Sequence, residues 1–166
     1  MRTHAFPLVA ALVAAALPVT ASAHARAANN HHRHRHVASE AARALMATHE
    51  TVSFDSDSFT LTPEAMRSLD RFAHQLKPAA HEVRIEAVGY ADATGTDPHN
   101  LLLAERRATA VLHYLHARGG VSLLRMSAAS YGEGMPVTSN ETSGGRAANR
   151  RVVIVVMPWR PAPRVA

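Results

Sequence analysis

Between residues 50 and 157 the spacing of apolar positions changes several times, and each change marks a predicted strand or helix. Alternating apolar and polar residues predict strands, whereas apolar residues three and four apart predict helices. In chain order the predicted elements are a strand at 51–54, a helix at 63–77, a strand at 83–89, a helix at 100–118, and strands at 126–130 and 152–156. The order strand–helix–strand–helix–strand–strand predicts an α/β (α+β sandwich) fold, with helices packed on one mixed sheet.

Local signals mark the ends and positions of several of these elements. Thr62-Pro63 combines a capping hydroxyl with a proline suited to the first helical position, and Pro78 ends that helix. The segment 152–156 is apolar at every position, which favours a central strand. The polar segment 132–148 contains the turn-prone Gly144-Gly145 and is predicted to be a loop.

The two ends of the chain differ from this patterned region. Residues 1–23 combine a basic start, an apolar run and the small residues Ala21-Ser22-Ala23, which together are typical of a secretory signal peptide. Residues 24–49 are rich in histidine and arginine and are predicted to form a flexible leader. The tail at 158–166 is rich in proline and is predicted to be loose. The folded domain is therefore expected at 50–157.

Removal of residues 1–23 on export is the first testable prediction. Intact-mass measurement of the exported protein should show a chain that begins at His24, because the small residues just before it match a cleavage site. A mature mass that still includes Met1 would indicate a retained anchor instead.

Composition narrows the class of protein. The chain has 18 lysines and arginines against 13 acids, a net charge of +5, and no cysteine. The lack of cysteine excludes disulfides, thiolate metal sites and cysteine nucleophiles. A basic protein that is exported is expected to meet an anionic polymer or a membrane surface outside the cytoplasm rather than nucleic acid.

The histidine tract is the candidate metal site. Four imidazoles within six residues could bind zinc, nickel or copper, and they belong to His31, His32, His34 and His36. The arginines between them repel cations, and no carboxylate lies within the tract. We therefore predict no cofactor and regard these histidines as weak candidates. A periplasmic metal-binding protein that uses this tract is the alternative function.

One acid and one arginine near the centre of the pattern form the strongest candidate for a binding site. Asp92 lies in the loop that follows the strand at 83–89, and Arg107 lies in the next helix. At about 100° per residue, Arg107 lies on the flank of the apolar stripe, in line with Asn100, whereas Arg106 points to solvent. A carboxylate and a guanidinium across a short gap can hold a group that carries both an ammonium and a carboxylate. Because both side chains are expected beside the core, alanine at either position should leave the fold intact.

Several short motifs accompany this pair over roughly residues 50–157. They are Phe54-Asp55, Gly89-Tyr90-Ala91-Asp92 with Gly95 and Asn100, Leu102-Leu103, Arg107-Ala108, Tyr131-Gly132-Glu133 with Pro136, and Asn149-Arg150-Arg151-Val152. In this order and spacing the chain resembles the OmpA-like peptidoglycan-binding domain, which also occurs in Pal lipoproteins and flagellar stator proteins. It departs from the family pattern at Ala91 and Ala104, where the family usually has a hydroxyl side chain.

The resemblance implies a non-catalytic protein that binds peptidoglycan in the periplasm, attached to the cell wall or the outer membrane. In that family the loop acid and the helix arginine grip the diaminopimelate of the peptide stem, and these roles fall here on Asp92 and Arg107. Further candidates for ligand contact are Asn149, Asp55, Phe54 and Asn100. No nucleic acid and no small-molecule substrate is expected.

Several of these candidates could have purely structural roles. Asn149 could close a loop onto the sheet, and Phe54-Asp55 could serve as core and turn residues. Strand alternation sends Arg150 and Arg151 to opposite faces, so at most one of them faces the site.

A wall-active hydrolase is the remaining alternative. The chain has neither a Gly-x-Ser-x-Gly elbow nor a His-Glu-x-x-His helix. The sequence therefore places no nucleophile and no catalytic metal, and we predict that the protein is not an enzyme.

Overall fold

The sheet has four strands among the described residues, and its order places the most apolar strand inside. The computed structural model describes residue 40 and residues 42–46 and 49–159, and its strands are β1 (His49–Ser53), β2 (Val83–Gly89), β3 (Met126–Ser130) and β4 (Arg151–Pro158). Their order across the sheet is β1-β4-β2-β3. β4 is antiparallel to both of its neighbours, and β2 is parallel to β3. The mixed sheet and the central final strand are confirmed.

The helices that connect the strands are α1 (Pro63–Leu76), α2 (Asp97–Gly119) and α3 (Ser143–Asn149). The hydroxyl of Thr62 accepts a hydrogen bond from the N–H of Ala65, which confirms the predicted start of α1. α2 begins three residues earlier than predicted, because Pro98 in its first turn also suits a helix start. None of the helices in the described part of the chain has the length and apolarity needed to span a bilayer.

α3 occupies part of the segment 132–148, for which the sequence predicted a loop, so that prediction is wrong for its last turns. The hydroxyl of Thr142 caps α3 by accepting a hydrogen bond from the N–H of Gly145 at 3.0 Å. A side chain at Gly145 would collide with the backbone carbonyl of Ser139. This glycine is therefore required for close packing of the preceding loop, whereas its sequence context suggested a turn.

One apolar core lies between the sheet and the helices α1 and α2. Val83, Ile85 and Ala87 of β2 face this core and are buried, as the alternation predicted. Ala42 and Leu45, from a short helical stretch before β1, belong to the same core. The prediction of a flexible leader at 24–49 is therefore wrong for these two residues. The predictions for residues 1–39 and 160–166 lie outside the described residues.

Gly89 brings the end of β2 against α2. A Cβ at this position would collide with the backbone carbonyl of Ala104, which is itself fully buried. Gly89→Ala should lower the free energy of unfolding by about 1–3 kcal/mol, because strand and helix would have to move apart. Gly144→Ala is the matched control: it lies in α3 with open space around it, so added helix propensity should leave stability equal or higher. Urea unfolding of both variants measures the difference, and equal stabilities would contradict the close approach at Gly89.

Candidate functional site

A cavity of about 200 Å³ lies where the loop after β2 meets the beginning of α2 and the residue before β4. The charged side chains that line it are those of Asp57, Asp92, Arg107 and Arg150. Asn100 also lines it. The cavity therefore brings together Asp92, Arg107 and Asn100, as the sequence suggested, and adds two charged groups that it did not assign.

Asp92 is buried and forms an ion pair with Arg150, for which the sequence did not predict a partner role. Its Oδ2 atom lies 2.9 Å from Nη1 of Arg150, and its Oδ1 atom accepts a hydrogen bond from the N–H of Thr94 at 3.0 Å. Burial raises the pKa of Asp92, but the hydrogen bonds from Arg150 and Thr94 and the charge of Arg150 together outweigh it, so the pKa is lowered. Asp92 is therefore an ionised carboxylate at neutral pH, and Arg150 fixes its orientation.

Arg107 lies inside the protein and is 0% exposed. Its guanidinium donates to three backbone carbonyls: Nε to Ser58 (2.7 Å), Nη1 to Tyr90 (3.2 Å) and Nη2 to Asp55 (2.9 Å). The expectation that it lies beside the core is therefore wrong. A helical wheel places it on the flank of α2, but the loops after β1 and β2 fold over that flank, and a wheel contains no information about them.

The charge of Arg107 persists despite burial. Burial lowers the pKa of Arg107 to about 10, with a contribution from the like charge of Arg150, and the charge of Asp92 opposes this shift. Arg107 is therefore protonated at neutral pH. A guanidinium has five N–H groups, and the bonds to carbonyls use three of them. Arg107 also lines the cavity.

Arg150 is one of the two charged cavity residues that the sequence did not assign to the site. Its Nε donates to the carbonyl of Phe54 at 3.0 Å while Nη1 contacts Asp92, and its side chain is 17% exposed. Arg151 turns away, and its guanidinium lies 3.8 Å from the centre of the Tyr90 ring. The prediction that at most one of these two arginines faces the site is confirmed. Alternation could not say which one, because that depends on how α3 leads into β4.

Asn100 fixes the backbone of the loop acid. It is 1% exposed, and its Nδ2 donates to the carbonyl of Asp92 at 3.2 Å and to Oε2 of Glu133 at 2.6 Å. It therefore ties the start of α2 to the loop after β2 and to the loop after β3.

Asn149 is fully buried and holds the loop before α3. Its Oδ1 accepts from the N–H groups of Val137 (2.9 Å) and Thr138 (3.3 Å). Its Nδ2 donates to the carbonyl of Thr138 (2.9 Å) and to Oδ1 of Asn140 (2.9 Å). The same Asn140 oxygen accepts from the N–H of Ala93, next to the loop acid. All donors and acceptors of this amide are used, so the geometry supports loop closure over ligand contact.

Phe54 and Asp55 lie on the boundary between core and surface. Phe54 is 3% exposed, and its ring lies 5.4 Å from the guanidinium carbon of Arg107. The Asp55 side chain is exposed and lines a separate groove of about 530 Å³ along β1. Neither side chain lines the smaller cavity. Both residues contact Arg107 instead, Phe54 through its ring and Asp55 through its backbone carbonyl.

A hydrogen bond at the rim of the cavity was not predicted. Oδ1 of Asp57 lies 2.8 Å from Nε2 of His99, and both side chains are more than half exposed. No local pattern in the sequence signals this pair, because its members come from the loop after β1 and the first turn of α2.

The described part of the chain contains no group of three or more histidine, cysteine or acidic side chains placed to hold a metal ion. The histidine tract at 31–36 lies outside the described residues.

The model of the OmpA family matches residues 53–150 of the chain. The chain belongs to the OmpA family. The matched region includes every cavity residue described above, so the family match and the geometry concern the same part of the molecule.

Relatives of this OmpA-family chain include two curated proteins. The chain is 43% identical over 102 residues to the peptidoglycan-associated lipoprotein of Pseudomonas aeruginosa, and the match covers 61% of this chain and 59% of the relative. It is 41% identical over 107 residues to outer membrane protein A of Bordetella avium, covering 64% and 54%. The chain thus spans little more than half the length of these relatives.

The fold also matches a solved structure. The crystal structure of the peptidoglycan-associated lipoprotein from Burkholderia pseudomallei is 33% identical, with a TM-score of 0.60, and the match covers 64% of this chain and 89% of that one. The predicted α/β architecture is therefore confirmed as that of the OmpA family.

Proposed function

We propose that the protein is a non-catalytic module that binds peptidoglycan and tethers itself to the cell wall in the periplasm, close to the outer membrane. Family membership supports this proposal, and so do the names of the relatives, which include peptidoglycan-associated lipoproteins and an outer membrane protein. The basic net charge of +5 suits an anionic polymer.

The observation that carries the proposal is that one cavity is lined by a buried carboxylate and a buried guanidinium, those of Asp92 and Arg107. The free end of diaminopimelate carries an ammonium and a carboxylate on the same carbon. Asp92 would accept from the ammonium, and the two unused N–H groups of Arg107 would donate to the carboxylate. The first turn of α2 lines the same cavity through His99 and Asn100, and the positive end of the helix dipole there would favour the same carboxylate.

The size of the cavity limits what can enter it. At about 200 Å³ it is smaller than the roughly 300–1,000 Å³ of sites for drug-sized ligands. It can therefore admit the end of one amino-acid side chain, whereas the glycan strand would remain outside. Selectivity would then depend on that end group alone.

The remaining candidate residues act by positioning the charged pair. Asn100 holds the backbone of Asp92, and Arg150 orients its carboxylate. Asn149 acts through Asn140 on the same loop. We therefore propose that Asn149, Phe54 and Asp55 position other site residues and do not contact the ligand themselves.

Walls that differ in one stem residue test the proposal. Protein-free sacculi that contain diaminopimelate should retain the protein in a co-sedimentation assay, and free meso-diaminopimelate should compete. Sacculi with lysine at that position should bind at least about tenfold more weakly, because they lack the side-chain carboxylate that Arg107 would hold. Equal binding to both kinds of wall would contradict diaminopimelate recognition, and failure to bind either would contradict wall binding itself.

A further inference from the structure

The end of the sheet away from the cavity carries a second surface, which wall binding does not explain. The cavity lies beyond the last residue of β2, whereas this surface lies at its first residue, where Val83 pairs with Pro158 at the end of β4. Seven strand residues at about 3.3 Å each separate the two ends by about 20 Å. A ligand in the cavity therefore leaves this end accessible.

Large apolar side chains are exposed at this end beside arginines. Leu124 is 93% exposed, Leu123 46% and Trp159 39%. The guanidinium of Arg125 lies over the Trp159 ring, 5.9 Å from its centre, and Arg84 lines a shallow cavity with the same tryptophan. We call this surface the distal patch, and it consists of Arg84, Leu123, Leu124, Arg125 and Trp159.

The composition of the distal patch is that of a surface that meets lipid. One exposed leucine needs no explanation, but two leucines in a one-turn helix beside a tryptophan and two arginines form a mixed apolar and cationic surface. Tryptophan favours the boundary between lipid headgroups and acyl chains. Arginine can bury its aliphatic part there while its guanidinium remains near the phosphates.

β1 begins and β4 ends at the same end of the sheet as the distal patch. β1 begins where His49 pairs with Val155, three residues before the end of β4. The sequence that precedes β1 from residue 24 to 48 contains four arginines and one glutamate, and residues 160–166 contain two arginines and no acid. A basic stretch of sequence on either side of the domain is attracted by an anionic surface.

We propose that the distal patch docks on the surface of a bilayer that contains anionic phospholipid. Leu123, Leu124 and Trp159 enter the headgroup boundary, and Arg84 and Arg125 pair with phosphate groups. The protein would then connect a membrane surface at one end to the cell wall at the other. This docking does not depend on which ligand occupies the cavity.

The single tryptophan of the chain makes the distal patch directly observable. The exported chain from His24 onward, mixed with vesicles of phosphatidylglycerol and phosphatidylcholine, should show a blue shift of Trp159 emission and quenching by acyl chains that carry bromine. Vesicles of phosphatidylcholine alone should bind more weakly. Unchanged emission with the anionic vesicles, the result expected if the patch serves a protein partner instead, overturns the proposal.

Two leucine variants separate the distal patch from the rest of the chain. Leu124→Ser should lower vesicle partitioning about tenfold, the loss expected when one leucine no longer leaves water. Leu102→Ser is the matched control, since Leu102 is 47% exposed on α2 and is not part of the distal patch, and it should leave partitioning unchanged. Equal effects of the two variants, or vesicle binding that Leu124→Ser does not change, would show that another part of the chain binds lipid and overturn the proposal. Binding to sacculi should be the same for Leu124→Ser and the unmodified protein, so a failure of wall binding is recorded separately.

Discussion

Arg107→Ala should lower the free energy of unfolding by about 3–5 kcal/mol, a large share of the roughly 5–15 kcal/mol that stabilises a typical domain. The residue is 0% exposed and donates to three backbone carbonyls from two separate loops. Alanine removes all three donors at once, and each carbonyl that water cannot reach loses a partner at a cost of about 1–3 kcal/mol. The cavity left by the side chain adds to this loss.

Arg106→Ala provides the control because it removes the same side chain one residue away. Arg106 is exposed, and its guanidinium carbon lies 5.6 Å from the centre of the Phe59 ring. Its replacement should change stability by no more than about 0.5–1 kcal/mol. Urea unfolding of both variants measures the contrast. Equal midpoints would mean that the three hydrogen bonds of Arg107 contribute little, and the residue could then be treated as a ligand contact alone.

This result affects how wall-binding assays should be interpreted. If Arg107→Ala disorders the loops after β1 and β2, weaker binding would not by itself show that the guanidinium touches the ligand. Arg107→Lys does not solve the problem, because an ammonium cannot reproduce the planar set of donors that three carbonyls require. Replacement of the other buried charge of the cavity, that of Asp92, gives the cleaner test.

The elements that the sequence predicted best are those whose pattern is local. The bounds of β2 match their prediction because the alternation of buried and less buried positions is visible within the strand itself. The bounds of β3 also match, although its burial does not alternate. α3 was missed because seven residues with two glycines have little intrinsic helix propensity. Its cap at Thr142 and its packing against the preceding loop stabilise it, and only the second of these depends on tertiary structure.

In the candidate site, too, the features that depend on local sequence were predicted and those that depend on distant parts of the chain were not. Helix geometry and the family resemblance brought Asp92, Arg107 and Asn100 to one cavity, where the structure also has them. The partner of the loop acid was not predictable, because Arg150 lies 58 residues further along the chain and reaches Asp92 only through the sheet. Burial of Arg107 was missed for a related reason, since loops from two other parts of the chain cover it.

Asp92→Asn should weaken binding of diaminopimelate by about 2–5 kcal/mol, or about 30-fold and more, because the ammonium would lose its charged partner in a buried site. Asparagine has nearly the same shape and retains an oxygen that can accept from the N–H of Thr94. The fold should therefore persist, and calorimetric titration with meso-diaminopimelate can measure the loss. Asp57→Asn removes the same charge at the exposed rim of the same cavity, where its side chain is 76% exposed, and should cost less than about 1 kcal/mol. Equal losses for the two variants would indicate a general electrostatic attraction and contradict a site built around Asp92.

The pH dependence of stability provides an independent check on Asp92. Its pKa is lower in the folded protein than the ordinary value of 3.8, so ionisation stabilises the fold above about pH 4, and this contribution is lost as the pH falls through the folded pKa. The unmodified protein should therefore be more stable than Asp92→Asn by a constant amount from neutral pH down to about pH 4, and the difference should shrink below that. A difference that grows as the pH falls from about 7 to 5 would mean that the pKa is raised, as burial without Arg150 would cause, because the folded state would then bind the extra proton. In that case the carboxylate would be partly protonated where the wall is bound, and the ammonium would need another partner.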